Sequence, residues 1–155
     1  MEKLRAQTLI LGVGNILLSD EGVGVRVVEC LQEQALPENI ELVDGGTAGA
    51  DLIDVLADRK TVIIVDAVQS TQPAGTILQL TPEDLKLQED TPLSLHDLDI
   101  PQTLAMTEML NCAPDHVICF GIVPECVAPG IGLSETLTPL VPKIAEMILR
   151  ESGIS

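Results

Sequence analysis

Residues 8–13 read TLILGV, an uninterrupted apolar run that Gly14 and Asn15 bring to an end. A run this short, with no strongly polar position after its first residue, is typical of a strand buried on both faces, as in a parallel sheet. From Glu21 to residue 35, apolar side chains recur at helical spacing, and Pro37 closes the segment. A buried strand followed by an amphipathic helix is typical of an α/β domain.

Similar short apolar runs occur further along the chain. They predict strands at residues 40–43, 61–65, 76–80 and 117–123. The run at 76–80 follows the previous strand through a Pro73-Ala74-Gly75 turn, with no intervening helix pattern. We therefore expect this strand to be antiparallel, because a parallel neighbour would need a crossover connection.

The segments between these runs predict helices, with one exception. Thr47 can cap a helix around residues 52–56, and Pro101 can open a helix that reaches Cys112. By contrast, residues 81–100 are acidic and poorly periodic. We expect this stretch to be a long excursion with little regular structure.

A closing helix is predicted over residues 137–148, where Pro142 should kink it or start its regular part. Together the elements predict a single domain covering residues 1–155. Its class is a three-layer α/β fold of the phosphorylase/hydrolase-like type. We expect a mostly parallel, twisted sheet of about five strands flanked by helices.

The chain carries 24 acidic and 8 basic residues, a formal net charge of −16. Such a surface repels nucleic acid and anionic lipid heads, so we expect neither as a partner. The acidity serves solubility, or it attracts a basic partner surface or a cation. The N-terminal residues do not form a convincing signal peptide, because Gly12, Gly14 and Asn15 break up their apolar part and no small-residue cleavage site follows. No stretch approaches the roughly 18 apolar residues of a membrane span. The four cysteines form no CxxC pair, so we expect reduced thiols in a cytoplasmic protein. The sequence does not fix the oligomeric state, and we favour a monomer.

Acidic residues follow three of the predicted strands. Glu21 comes shortly after the first strand, Asp44 after the second and Asp66 directly after the third. Because ligands of open parallel sheets bind beyond the carboxyl ends of the strands, these carboxylates should converge at one edge. Taken singly, Glu21 could only complement a helix dipole, and Asp44 could be an ordinary turn residue. The three together favour a site.

The two histidines fall at different places in this scheme. His116 precedes the last strand, so a parallel arrangement puts it at the opposite, amino edge. His96 lies in the excursion of residues 81–100, which is free to fold over the carboxyl edge. Glu21, Asp66 and His96 would then form a ligand set of two oxygens and one nitrogen. That set suits zinc, nickel or another borderline divalent ion. A free carboxylate such as Asp44 could polarise water or orient a peptide.

Other catalytic patterns fit this chain poorly. It has no GxSxG, HExxH or P-loop sequence. The turn Gly12-Val13-Gly14 resembles part of a dinucleotide fingerprint, but Leu17 replaces the third glycine. Asp20 and Glu21 would also repel a phosphate at the helix start that should attract it.

Five segments match the motifs of a known family in order and spacing. The segments are 12–24 (GVGNILLSDEGVG), 44–49 (DGGTAG), 66–68 (DAV), 94–97 (SLHD) and 121–124 (GIVP). On these residues the chain resembles the hydrogenase maturation endopeptidases along nearly its whole length. Ser19, where relatives often carry Gly, is a mild variation.

The resemblance implies a five-stranded twisted sheet and an endopeptidase. The enzyme would remove a short C-terminal extension from the large-subunit precursor of a nickel–iron hydrogenase. The resemblance also implies that Glu21, Asp66 and His96 bind nickel and that Asp44 is a further acidic residue important for cleavage. In this family the nickel is understood to belong to the substrate's own active site. No Ser or Cys in the motifs is an evident nucleophile, so we expect attack by water.

Two other interpretations remain open from the sequence. One is a self-contained metallopeptidase that holds its own zinc ion. The other is a non-enzymatic nickel chaperone or scaffold, which would also account for the acidic surface. The hydrogenase that is processed and the cleavage sequence are not encoded in any motif.

Overall fold

The computed structural model of the protein describes residues 6–46, 52–87 and 100–153. Its strands are Thr8–Val13 (β1), Ile40–Gly46 (β2), Thr61–Ala67 (β3), Ile77–Leu80 (β4) and His116–Ile122 (β5). They form one sheet in the order β2-β1-β3-β5-β4. All neighbours are parallel except β4, which is antiparallel to β5. The mostly parallel five-stranded sheet and the antiparallel strand predicted from the sequence are confirmed.

Helices cover both faces of this sheet. They are the 3-10 helix Ser19–Gly22 and the α-helices Val23–Gln32 (α1), Leu52–Leu56 (α2), Pro82–Leu87 (α3), Ile100–Met109 (α4) and Leu140–Glu151 (α5). Helices α1 and α5 pack together on one face, whereas α2 and α4 pack on the other. The three-layer α/β architecture is therefore confirmed.

The alternation of side chains along the strands divides the core into two layers. On β3, Ile63 and Val65 pack with α1 and α5, whereas Val62 and Ile64 pack with α2 and α4. Phe120, the single aromatic residue, is fully buried in the first layer. Full burial of a side chain of this size contributes about 1.5–3 kcal/mol. Aliphatic residues on both faces thus account for the apolar strand sequences.

Gly24 lets helix α1 lie directly on the sheet. A Cβ atom at this position would overlap the backbone carbonyl oxygens of Val13 and Val65. Only glycine tolerates so close an approach of helix and strand backbones. The 3-10 helix, which ends directly before α1, also contacts β3.

The prediction of little regular structure over residues 81–100 is wrong in its first part, because Pro82–Leu87 forms helix α3. The backbone N–H and hydroxyl of Thr81 both donate to Asp84 Oδ2, at 2.9 and 3.0 Å. The backbone N–H of Asp84 donates to the Thr81 hydroxyl at 3.2 Å. These reciprocal bonds, with proline at the first helical position, form a helix start that the local sequence encodes. The rest of the excursion up to residue 99 lies outside the described residues, as does the predicted Thr47 cap.

The two remaining helices differ from expectation only at their ends. Helix α4 ends at Met109, so Cys112 lies beyond it rather than on it. Pro142 lies in the first turn of α5, where its missing N–H costs no intrahelical hydrogen bond. All four cysteines, Cys30, Cys112, Cys119 and Cys126, are free thiols. Across the described parts of the chain, the helices are too short or too polar to cross a membrane.

Candidate functional site

The structure places Glu21, Asp44 and Asp66 at the carboxyl edge of the sheet. Gly12 on β1 is in register with Asp44 on β2 and with Val65 on β3. Asp44 and Asp66 therefore lie one position apart along the sheet, with β1 between them. Glu21 belongs to the 3-10 helix that follows β1 and contacts β3. Three separate elements thus bring a carboxylate to the same edge.

Asp44 and Asp66 lie within strands rather than after them, contrary to the sequence prediction. Strand β2 continues to Gly46 and β3 continues to Ala67. The apolar pattern stops at each aspartate, but the ladder of backbone hydrogen bonds does not require apolar side chains. Each carboxylate is therefore attached to a strand rather than to a loop.

The three carboxylates differ in exposure. Glu21 is 4% exposed and Asp66 is 5% exposed, whereas Asp44 is exposed to solvent. Oε2 of Glu21 has almost no accessible surface. Oδ1 of Asp66 accepts a hydrogen bond of 2.8 Å from the backbone N–H of Ala67. Two buried carboxylates at one edge are costly to keep charged unless cations or hydrogen-bond donors compensate them.

Cys119 lies on β5 in the layer that contains Ile64. Burial raises the pKa of the Cys119 thiol, and the negative charge of Asp66 raises it further. This cysteine is consequently protonated at neutral pH. A protonated, buried thiol is neither a nucleophile nor a metal ligand.

Of the two histidines, the structure describes only His116. His116 is the first residue of β5 and is in register with Thr61, which places it at the amino edge, far along the strands from Asp66. His96 lies outside the described residues. Among residues 6–46, 52–87 and 100–153, no group of three His, Cys, Asp or Glu side chains is arranged to hold a metal ion. Within those residues the predicted ligand set therefore comprises Glu21 and Asp66.

Asp20 is a buried residue whose role the sequence reasoning missed. Its Oδ2 accepts hydrogen bonds from the backbone N–H groups of Glu125 and Cys126, at 2.9 and 3.0 Å. Its Oδ1 accepts one of 2.7 Å from the backbone N–H of Ser134. Burial alone would raise the pKa of Asp20, but these donors outweigh it and lower the pKa below its usual value. Asp20 thus binds the loop after β5 to the loop after β1.

The donor chemistry of the edge suits a divalent cation. Glu21 and Asp66 offer carboxylate oxygens from rigid elements, and an imidazole from His96 would complete a set of two oxygens and one nitrogen. Zinc and nickel accept such mixed sets and leave positions for water or a substrate group. Asp44, at the same edge, is exposed to solvent.

Comparisons with known proteins agree with one another. A family model described as hydrogenase maturation protease matches residues 25–151. The hydrogenase 2 maturation protease of Escherichia coli strain K12 is 38% identical over 151 residues, which cover 94% of this chain and 92% of that protein. The hydrogenase expression/formation protein HupD of Thiocapsa roseopersicina is 33% identical over 144 residues, 92% of this chain and 62% of that protein. The solved structure of the hydrogenase maturating endopeptidase HybD from E. coli has a TM-score of 0.85 and 37% identity, covering 97% of this chain and 94% of that one.

Proposed function

Because the chain belongs to the hydrogenase maturation protease family, we propose that it cleaves the C-terminal extension from the nickel-loaded large-subunit precursor of a nickel–iron hydrogenase. The observation that carries the proposal is the pair of buried carboxylates, Glu21 and Asp66, at the carboxyl edge of a sheet that matches a maturating endopeptidase. We further propose that the enzyme works in the cytoplasm as a monomer. Its four free thiols suit a reducing compartment.

In this proposal the nickel ion arrives as part of the substrate. Glu21, Asp66 and His96 contact it when the precursor docks. Two carboxylates and one imidazole are harder donors than the thiolates of structural sites, so in this proposal affinity arises mainly when precursor groups fill the open positions. The enzyme therefore recognises precursors in which metal insertion is complete.

Asp44 has a different role in the proposal. Its exposure leaves the carboxylate accessible to the peptide at the same edge, where it can polarise water or orient the scissile bond. Cys119 is buried and protonated, so it is not available as a nucleophile. These observations support hydrolysis by water rather than through a covalent intermediate on this cysteine.

Cleavage assays with two forms of the precursor test the proposal. Enzyme stripped with a chelator should cleave the nickel-loaded precursor at nearly its normal rate and leave the nickel-free precursor uncut. The Asp44→Asn variant should bind the loaded precursor normally and cleave it slowly, because the carboxylate acts on the peptide. Gel mobility of the large subunit reports cleavage, and its mass identifies the bond.

Two outcomes would replace the proposal. Efficient cleavage of the nickel-free precursor by zinc-loaded enzyme would establish a self-contained metallopeptidase. Transfer of nickel to the precursor without any shortening of its chain would establish a nickel chaperone. Either result would also change the meaning of the buried carboxylates, from substrate recognition to a resident metal site or a carrier site.

A further inference from the structure

Four large apolar side chains lie exposed beside the candidate site. Ile16 and Leu17 belong to the loop after β1, and Val127 and Ile131 belong to the loop after β5. Ile131 is 80% exposed and Leu17 is 59% exposed. Single exposed apolar residues are common on protein surfaces, but a group on adjoining loops is typical of an interaction site. We call residues 15–18 and 126–132 the loop surface.

Backbone hydrogen bonds join the two loops into one surface. The N–H of Gly130 donates to the carbonyl of Leu17 at 2.8 Å, and the N–H of Ser19 donates to the carbonyl of Gly130 at 3.0 Å. The Ser19 hydroxyl adds a bond of 2.7 Å to the carbonyl of Ala128. Below them, Asp20 accepts three backbone N–H groups from the second loop. These bonds hold the two segments of the loop surface together, and the exposed apolar side chains extend from them.

Ser19, which directly follows the first segment of the loop surface, has an unfavourable backbone conformation. Ser19 adopts a φ of 53°, in the left-handed region that non-glycine residues rarely occupy. The bonds from its backbone and hydroxyl to the second loop hold it there. The same bonds restrain the backbone beside the exposed apolar residues, and a restrained surface loses less entropy on binding a partner.

The loop surface adjoins the carboxylates. Gly22 lies so close to the backbone of Ile16 that a Cβ atom there would approach its Cα to 2.8 Å. Glu21 is the neighbour of Gly22 in the 3-10 helix. A protein whose metal centre reached Glu21 and Asp66 would therefore approach the loop surface near Ile16.

We propose that the loop surface docks the folded large-subunit precursor of the hydrogenase, an inference that rests on the proposed function. The partner should present apolar side chains bordered by Lys or Arg. Glu125 and Glu135 lie on either side of the second segment of the loop surface, and the whole chain has a net charge of −16. A partner surface rimmed by basic residues is therefore complementary in charge. A second copy of this chain carries the same charge and is repelled, which opposes self-association through this face.

The chain offers a matched control at its opposite edge. Met109 is 83% exposed and Leu110 is 62% exposed, close to the values for Ile131 and Leu17. They lie at the end of α4, where the chain returns to the amino end of β5. The test variant is Leu17→Asp with Ile131→Asp, and the control variant is Met109→Asp with Leu110→Asp. Each pair adds two negative charges and removes two exposed apolar side chains.

Steady-state cleavage of nickel-loaded precursor separates docking from chemistry. The test variant should raise KM by about tenfold or more with kcat within about twofold, as for removal of apolar contacts at an interface centre. The control variant should match the unmodified enzyme in both constants. Thermal unfolding of all three proteins verifies that each remains folded, and Leu17→Ala with Ile131→Ala provides a milder pair without added charge.

Binding of the loaded precursor, measured in an Asp44→Asn background, keeps this inference separate from the proposed function. If the unmodified enzyme fails to cleave, the proposed function is wrong, yet a selective loss of precursor binding in the Leu17/Ile131 variant would still support docking here. Equal affinity and equal KM for test and control variants would overturn the docking proposal. So would a dimer in sedimentation that the test variant dissociates without any change in KM. Binding that is insensitive to salt between about 0.05 and 0.5 M would contradict the basic rim.

Discussion

At the carboxyl edge of the sheet, Glu21 and Asp66 are buried carboxylates carried by two different elements. Among the described residues, Arg59 is the buried charged residue at the amino edge, and it contacts two backbone carbonyls and one carboxylate. Its Nε and Nη1 donate to the carbonyls of Val55 and Ala6 at 3.1 and 2.9 Å, and its Nη2 pairs with Glu41 at 2.8 Å. The first edge gathers acidic groups around an accessible rim, whereas the second uses its cation to tie chain segments together.

A cleft of about 490 Å³ opens at the amino edge, with Thr61, Leu104 and His116 among its lining residues. The direction of the strands is more informative, because parallel strands present their carboxyl ends, and the loops that follow them, at one edge. The candidate site therefore lies where loops converge at the carboxyl edge, at the opposite edge of the sheet from this cleft.

The largest expected effect compares the two histidines. His96→Ala should reduce cleavage of nickel-loaded precursor by at least about 100-fold, because it removes a proposed ligand to the substrate metal. His116→Ala, at the amino edge, should leave cleavage within about twofold. Processing is measured by the mobility shift of the large subunit.

Asp66→Asn should resemble His96→Ala in the same assay, because it removes charge from a second proposed ligand. Circular dichroism verifies that the three variants are folded. Equal loss of processing in the His96 and His116 variants, both folded, would show that the edges are not functionally distinct.

The next effect concerns the brace under the carboxyl edge. Asp20→Asn should lower the free energy of unfolding by about 2–4 kcal/mol at pH 7, because the carboxylate accepts three backbone N–H groups and an amide repels at least one. The pKa of Asp20 is lowered in the folded state. Its stabilisation is thus fully present above the unfolded pKa of about 3.9 and is lost as the pH falls through the lower folded value.

Urea unfolding at pH 7 and near pH 3 measures this difference. The unmodified protein should lose more stability on acidification than the Asp20→Asn variant does. A variant as stable as the unmodified protein at pH 7 would show that the two loops hold together without Asp20.

The smallest effect is expected at the amino edge. Arg59→Met should lower the free energy of unfolding by about 1–3 kcal/mol, since it leaves two backbone carbonyls without their donors and breaks the pair with the half-exposed Glu41. Cleavage per folded molecule should not change. A drop in kcat with unchanged stability would mean that the amino edge contributes to the reaction. The two edges of the sheet would then not differ in function as proposed.

The sequence predicts most of the framework because apolar runs and strand direction are local signals. The run at residues 8–13 matches β1 residue for residue, and the turn at residues 73–75 led to the antiparallel β4. The ends of β2 and β3 were misplaced because Asp44 and Asp66 interrupt the apolar pattern without interrupting the backbone ladder. Helix α3 was missed although Thr81 and Asp84 form its start.

The candidate site was predictable only as far as strand order fixes it. The convergence of Glu21, Asp44 and Asp66 follows from parallel strands. The role of Asp20 does not follow from strand order. Its partners are 105–114 residues away and contribute backbone groups, which no pattern of side chains reveals. Nor does the sequence show that Leu17 and Ile131 belong to adjoining loops, since only the folded backbone pairs them.

The distance along the chain between Asp20 and its donors also governs when the enzyme matures during its own synthesis. Asp20 leaves the ribosome early, but its donors at Glu125, Cys126 and Ser134 follow more than 100 residues later. Contacts of such long range form last and require most of the chain to be ordered. At about 5–20 residues per second, Asp20 waits several seconds for these donors to be translated. A nascent chain that ends before residue 124 thus contains Glu21, Asp44 and Asp66 but lacks the second segment of the loop surface. The loop surface is therefore complete only when translation of the chain is nearly finished.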